Sequence, residues 1–226
     1  MPANQKAATL TGAQLRHLLR VTDATSSAPE RDRLMLLLGH TCAMRVTEIA
    51  RVLVGDVMLP SGSLRSEVSL RASITKGCRP RCVFLTHADT RAALEGYVEW
   101  RWAKGHGIEL DQRRFCGLAP HTALIVTRRG GAFELSKKPR VLVGGEIEDY
   151  WACDALQAHA SGLYRAAGLG QCSNHPGRRT FANRLLTKGH AVKTVQQLLG
   201  HAHLDHTAAS LDVDAAVLAE MFATAL

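Results

Sequence analysis

Between Cys172 and Val213 the chain reads CSNHPGRRTFANRLLTKGHAVKTVQQLLGHAHLDHTAASLDV. Its polar side chains fall at telling intervals: His175 and Arg178 stand three apart, and Leu198-Leu199-Gly200-His201 closes a helix-forming run. Far upstream, Arg45 and Glu48 are also three apart, just after an apolar run and a stretch of small residues. Between these segments Lys76 opens Lys76-Gly77-Cys78-Arg79-Pro80, a turn sequence with strand-like flanks. Guanidinium, imidazole and ammonium groups hold the oxygens of an anion and exchange protons with them, and a planar guanidinium grips two oxygens at once. One at a time these residues signify little, because an arginine at a helix start or a lysine at a hairpin tip is ordinarily solvated surface. Their order along one chain is the signal.

The formal charge of +8 favours a polyanionic partner. With 46% apolar residues the 226-residue chain has the composition of a globular protein and not of a disordered tail. The six cysteines are scattered without a disulfide framework, no signal peptide is evident and no apolar run approaches a bilayer span, so a reducing, cytoplasmic setting is expected. Cys78-x3-Cys82 followed by His87 lacks a second ligand pair at metal-binding spacing, so no metal site is expected.

The elements that must position these residues follow from periodicity. Residues 1–9 read as a flexible N-terminal arm and 10–226 as one domain. Thr11 and Gln14 form a capping box, flanked by Leu10 and Leu15, ahead of a helix with Leu15, Leu18 and Leu19 on one face. Ser27-Ala28-Pro29-Glu30 opens a second helix that buries Leu34, Leu37 and Leu38. After the break at 39–44, Arg45 starts a third. Val68, Leu70, Ala72 and Ile74 alternate with polar neighbours, and Cys82 to Leu85 is a second extended run, which predicts a β-hairpin with its turn at Lys76–Pro80. A helix follows from about Thr90, with Leu94, Tyr97, Val98 and Trp102 in step. Ala123 to Val126 reads as a buried strand and Arg128 to Gly131 as a turn. The basic run Lys137-Lys138-Pro139-Arg140 reads as a loop, either merely solvated or in contact with phosphate. A helix is expected from Asp149 to Ala167, ending at Gly168, and a last one from Asp214 to Leu226 with Val217, Leu218, Met221, Phe222 and Ala225 on one side.

In this order the segments resemble the tyrosine recombinase (phage integrase) family. Leu36 to Ile49, with Arg45-x-x-Glu48, looks like its first motif. Ile74 to Leu85 looks like its hairpin. His175-Pro176-Gly177-Arg178-Arg179-Thr180-Phe181-Ala182 is similar to its His-x-x-Arg motif, with Arg179 in place of the usual histidine. The resemblance implies an α+β, mainly α-helical catalytic domain with a small antiparallel sheet at one edge. It implies double-stranded DNA as partner and strand cleavage and rejoining through a 3′-phosphotyrosyl link, with neither metal nor nucleotide cofactor. Arg45 and Arg178 would clamp the phosphate, with His201 adding a hydrogen bond. Lys76 would protonate the leaving oxygen, His175 would orient or deprotonate, and Glu48 would position Arg45. Arg79, Arg81, Lys137, Lys138, Arg140 and Arg179 are the further candidates for DNA contact. The C-terminal helix would dock on a neighbouring protomer in a dimer or tetramer on DNA. Family members carry an N-terminal core-binding domain, whereas about ten residues precede the first helix here, so the resemblance covers the catalytic domain alone.

One position departs from the pattern. The family's nucleophilic tyrosine falls nine residues after the histidine of Leu-Gly-His, and that count from His201 reaches Ser210. A serine hydroxyl ends roughly 4 Å closer to the backbone than a tyrosine's, and attack tolerates misplacement of only about 1 Å. Retained DNA binding with absent or strongly reduced cleavage is expected. A helix-turn-helix regulator would account for the charge and for Ser210 but not for Arg45, Lys76, His175 and Arg178. A type IB topoisomerase-like enzyme would share the arginine, lysine and histidine chemistry.

Overall fold

Thr11 caps the first helix from both directions. Its hydroxyl accepts from the Gln14 amide at 3.2 Å, and Gln14 Oε1 accepts from the Thr11 amide at 2.9 Å, the reciprocal box its sequence predicts. Helix α1 (Gly12–Thr25) then buries Leu15, Leu18 and Leu19. The computed structural model describes residues 9–75, 80–141, 145–171, 176–199 and 215–225.

Helix α2 (Pro29–Thr41) is buried on nearly all sides, which makes it the axle of the fold. Around it pack α1, α3 (Val46–Arg51), α5 (Ala88–Ala103) and α7 (Pro176–Thr187), while the one-turn α4 (Val54–Val57) follows α3. Its polar residues are satisfied internally. Asp32 accepts from Arg31 at 2.8 Å and from Ser26, and lies 2.8 Å from His159 Nε2. Burial opposes the charge on Asp32, but these hydrogen bonds outweigh it and hold its pKa below the ordinary carboxylate value. Thr41 donates to Leu37 O at 2.8 Å, and His40 Nε2 lies 2.9 Å from the Tyr164 hydroxyl. At the crossing of α2 and α7 the backbones touch: a Cβ on Gly177 would fall 2.7 Å from Gly39 C and 2.8 Å from its carbonyl oxygen.

Strands β1 (Glu67–Leu70) and β2 (Arg81–Phe84) pair antiparallel, Val68 opposite Val83 and Leu70 opposite Arg81. The expected hairpin is therefore present but shorter. Ala72–Ile74 form a 3₁₀ turn instead of extending β1. Pro80, immediately before Arg81, has no N–H to donate and cannot carry the ladder past Leu70. Ile74 still reaches the core by way of the turn.

The structure corrects the sequence expectation at two places. Of the run Ala123–Val126, Leu124, Ile125 and Val126 are buried as expected, but the run forms no strand: Leu124 N donates to Val52 O at 2.7 Å and Val126 N to the Tyr97 hydroxyl at 3.1 Å. The fully buried Arg101 takes the role of a neighbouring strand, donating to the carbonyls of Ala123 at 2.8 Å and Leu124 at 3.1 Å. The basic run is likewise no loop. It lies in β3 (Ser136–Val141), paired antiparallel with β4 (Ile147–Ala152), so the residues from Asp149 to Ala152 belong to a strand and α6 begins only at Asp154 (Asp154–Ala166). Gly168 follows the helix with φ +71°, the C′ glycine its position predicts.

After α8 (Val192–Leu198), α9 (Ala215–Ala223) closes the described chain. In this single chain α9 sits on its own β2 and α7, with the Phe222 ring 5.4 Å from Phe84 and 5.0 Å from Phe181. Met221, Phe222 and Ala225 are buried as the apolar stripe predicts, whereas Val217 is exposed. One apolar cluster runs from Leu10 to Ala225. The mainly helical architecture with small antiparallel strand pairs agrees with the expected fold class. No helix among the described residues is long and apolar enough to cross a membrane.

Candidate functional site

The turn from α2 into α3 builds the centre of the site. Ala43 there adopts a left-handed conformation, φ +51°, which for a residue with a Cβ costs on the order of 1 kcal/mol. Arg45 then caps α3: its amide donates to Glu48 Oε2 and its Nη1 to Glu48 Oε1, both at 2.7 Å. Glu48 is wholly buried. Burial alone would raise its pKa, but Arg81 first and Arg45 second overcome that and hold it below the ordinary value.

Arg81, the first residue of β2, reaches the same carboxylate, with Nη2 2.6 Å from Oε2 and Nε 3.4 Å from Oε1. It also donates to Ala43 O at 3.1 Å and to Leu198 O at 3.3 Å. The sequence suggested Arg81 as a DNA contact. The structure instead turns it inward, with a side chain only 6% exposed, where it ties the hairpin to Arg45 and to the end of α8.

Arg178, in the first turn of α7, completes the group. Its Nη1 donates to Ala43 O at 2.8 Å and its Nη2 to Leu199 O. Burial, with Arg45 and Arg81 beside it, pushes its pKa down to about 8, and Glu48 acts in the opposite sense. Three guanidiniums thus crowd around one carboxylate, leaving an excess of positive charge in a largely desolvated corner. Such a corner is stabilised by an incoming anion, and fork-shaped donors favour one with several oxygens. Arg45 retains 17% side-chain exposure and is the most open of the three to such a ligand.

Arg45, Glu48, Arg81 and Arg178 are therefore brought together. Arg179, next along α7, is exposed. Lys137, Lys138 and Arg140 lie apart from these four, on the β3–β4 ribbon, where Lys138 pairs with Asp154 at 2.6 Å and Arg140 with Glu148. Lys76, Arg79, His175, His201 and Ser210 lie outside the described residues, as does Cys78. Sequence reasoning missed the Ala43, Leu198 and Leu199 carbonyls, because every residue type carries that group. The small side chain at Ala43, in the break before Arg45, was the available hint.

No protein-family model matches the chain. It is similar to the tyrosine recombinase XerC of Bacillus subtilis, 29% identical over 195 residues, covering 86% of this chain and 53% of the relative. It is also similar to the tyrosine recombinase XerD of Pseudomonas putida, 28% identical over 201 residues, covering 88% and 55%. The chain thus spans about half the length of these curated relatives. Among solved structures it resembles XerA recombinase, with a TM-score of 0.60 and 16% identity over 99% of this chain and 61% of that one. It also resembles XerH site-specific recombinase bound to its difH substrate before cleavage, with a TM-score of 0.58 and 20% identity over 95% and 49%. At those identities the structural likeness speaks for the fold. Sequence likeness to the curated recombinases and this shared fold agree with the motif order read along the chain, which is similar to tyrosine recombinases in both sequence and fold.

Proposed function

We propose that this chain binds duplex DNA at a backbone phosphate and holds it in the geometry of strand exchange without cutting it. The observation that carries this reading is the pairing of Arg45 and Arg81 with the single carboxylate of Glu48, with the Arg178 guanidinium held beside them on the Ala43 carbonyl that Arg81 shares. Arg45 and Arg178 clamp the non-bridging oxygens, while Arg81 and Glu48 fix the clamp from behind. Charge fixed beforehand in a site with little water stabilises a pentavalent phosphate more than mobile charge does. His201 adds a hydrogen bond, His175 orients or takes a proton, and Lys76 protonates the departing 5′ oxygen. In a cleaving relative a tyrosine oxygen would bond to phosphorus as the bond to the 5′ oxygen breaks, and the 3′-phosphotyrosyl link would then be attacked by a second strand. Here Ser210 stands at that position, too short by roughly 4 Å and without the lower pKa of a phenol. Copies assembled on DNA as a dimer or tetramer through the C-terminal helix belong to the same reading.

Ser210→Tyr is the direct test. On a suicide substrate carrying the cognate site, the variant is expected to give a covalent protein–DNA adduct while the chain as written binds without one. Binding without an adduct in the variant overturns the placement of Ser210, and an adduct with the unsubstituted chain overturns the predicted inactivity.

A further inference from the structure

The β3–β4 ribbon has one uncovered face. Its register sets Lys137 opposite Trp151, Pro139 opposite Asp149 and Val141 opposite Ile147, and the period of two places all six on the same side. Val141 and Ile147 are each 72% exposed and Trp151 is 43% exposed, with Lys137 Nζ 5.4 Å from the centre of its ring. On the other side Lys138 and Arg140 are engaged by Asp154 and Glu148. The two strands pack chiefly on each other. A lone two-stranded ribbon is marginal in water, and an apolar stripe at its tip calls for a cover.

The chain carries a matching recess. A cavity of about 660 Å³ opens beside α5, with Met58, Leu64, Val98 and Trp102 as its apolar lining, Glu95 and Glu99 as its carboxylates and Arg91 as its guanidinium. Glu95 and Glu99 are exposed one helical turn apart and form no ion pair among the described residues. No ribbon residue of the same chain lines this cavity.

We infer that the ribbon of one copy docks in this cavity of a second copy. Trp151, Val141 and Ile147 cover the apolar lining, Lys137 meets Glu95 and Glu99, and Asp149 meets Arg91. The exposed face balances one cation against one anion, whereas a ribbon that tracked DNA phosphates would present a surplus of positive charge. In a protein of net charge +8, a pair of adjacent unpaired carboxylates at the cavity offsets the repulsion between two copies at that contact. Ribbon and cavity are different patches, so the contact is head-to-tail.

Sedimentation of the full chain over a concentration series tests this, with Ile147→Asp on the ribbon and Glu95→Lys/Glu99→Lys at the cavity. Both surfaces are exposed, and an unchanged melting temperature verifies that each variant is folded. The unsubstituted chain is expected to associate, and each variant to weaken its apparent Kd roughly tenfold or more. An equal mixture of the two variants retains one intact ribbon and one intact cavity per pair, so it should recover dimers and nothing larger. A chain that is monomeric throughout, variants that associate like the parent, or a mixture no better than its components each overturns the inference. So does loss of duplex DNA binding by Ile147→Asp with association unchanged, which would make DNA the partner of the ribbon.

Discussion

At the scale of single residues, the site depends on main-chain oxygens as much as on side chains. Ala43 O accepts from both Arg81 and Arg178, and the carbonyls of Leu198 and Leu199 take the remaining hydrogen bonds. Arg45, Glu48 and Arg178 were legible because their spacing is a property of the chain. The inward turn of Arg81 was not, since only the folded hairpin brings it over Glu48. A second buried group gives a pH test. His40 is fully buried with its Nδ1 unpartnered, and burial, helped by the charge of Arg184, pushes its pKa from 6.5 down to about 3. Between those values the unfolded chain binds a proton at this residue that the folded chain does not, so stability rises with pH and is lost on acidification below about 6.5. The slope attributable to His40 approaches about 1.4 kcal/mol per pH unit. Urea midpoints measured from pH 7 to pH 5 should show this loss, and His40→Gln should flatten the curve. A profile unchanged by that substitution would remove His40 as its cause.

At the scale of elements, the crossing of α2 and α7 brings Arg178 to Ala43, and it depends on Gly177. A methyl group there meets the Gly39 backbone at 2.7 Å, where no side chain can yield. Gly177→Ala should therefore cost about 1–3 kcal/mol, read as a fall in the urea midpoint, and should weaken DNA binding together with stability. A variant as stable as the parent would mean that the helices separate without strain. Helices α1, α2 and α5 and the end of α6 were legible because caps, apolar periods and the C′ glycine are local signals. The ribbon was not: Lys137-Lys138-Pro139-Arg140 has the composition of a loop, and its strand character comes from pairing with 147–152. Ala123–Val126 failed for the complementary reason. Its apolar run reported burial correctly, but the partner of its carbonyls is the side chain of Arg101, which no period reveals.

For the whole molecule, α9 joins the two ends of the described chain to the hairpin. Phe222, fully buried between Phe84 and Phe181, is its anchor. Phe222→Ala should cost about 3–5 kcal/mol of unfolding free energy, and a loss below about 1 kcal/mol would show that α9 is not held there in solution. The polar contacts of α9 have a different character. Thr86 donates to Ala219 O at 2.8 Å, Arg184 to Ala225 O at 3.1 Å and Lys188 to Thr224 O. All three acceptors are backbone, so these polar contacts are made without regard to the side chains of α9, while Met221, Phe222 and Ala225 supply its apolar contact. An identical helix from a neighbour would fit the same socket with the same contacts, and the exchange would be close to neutral in energy. Occupancy of that socket is then a matter of mass action between the resident helix and any neighbour's.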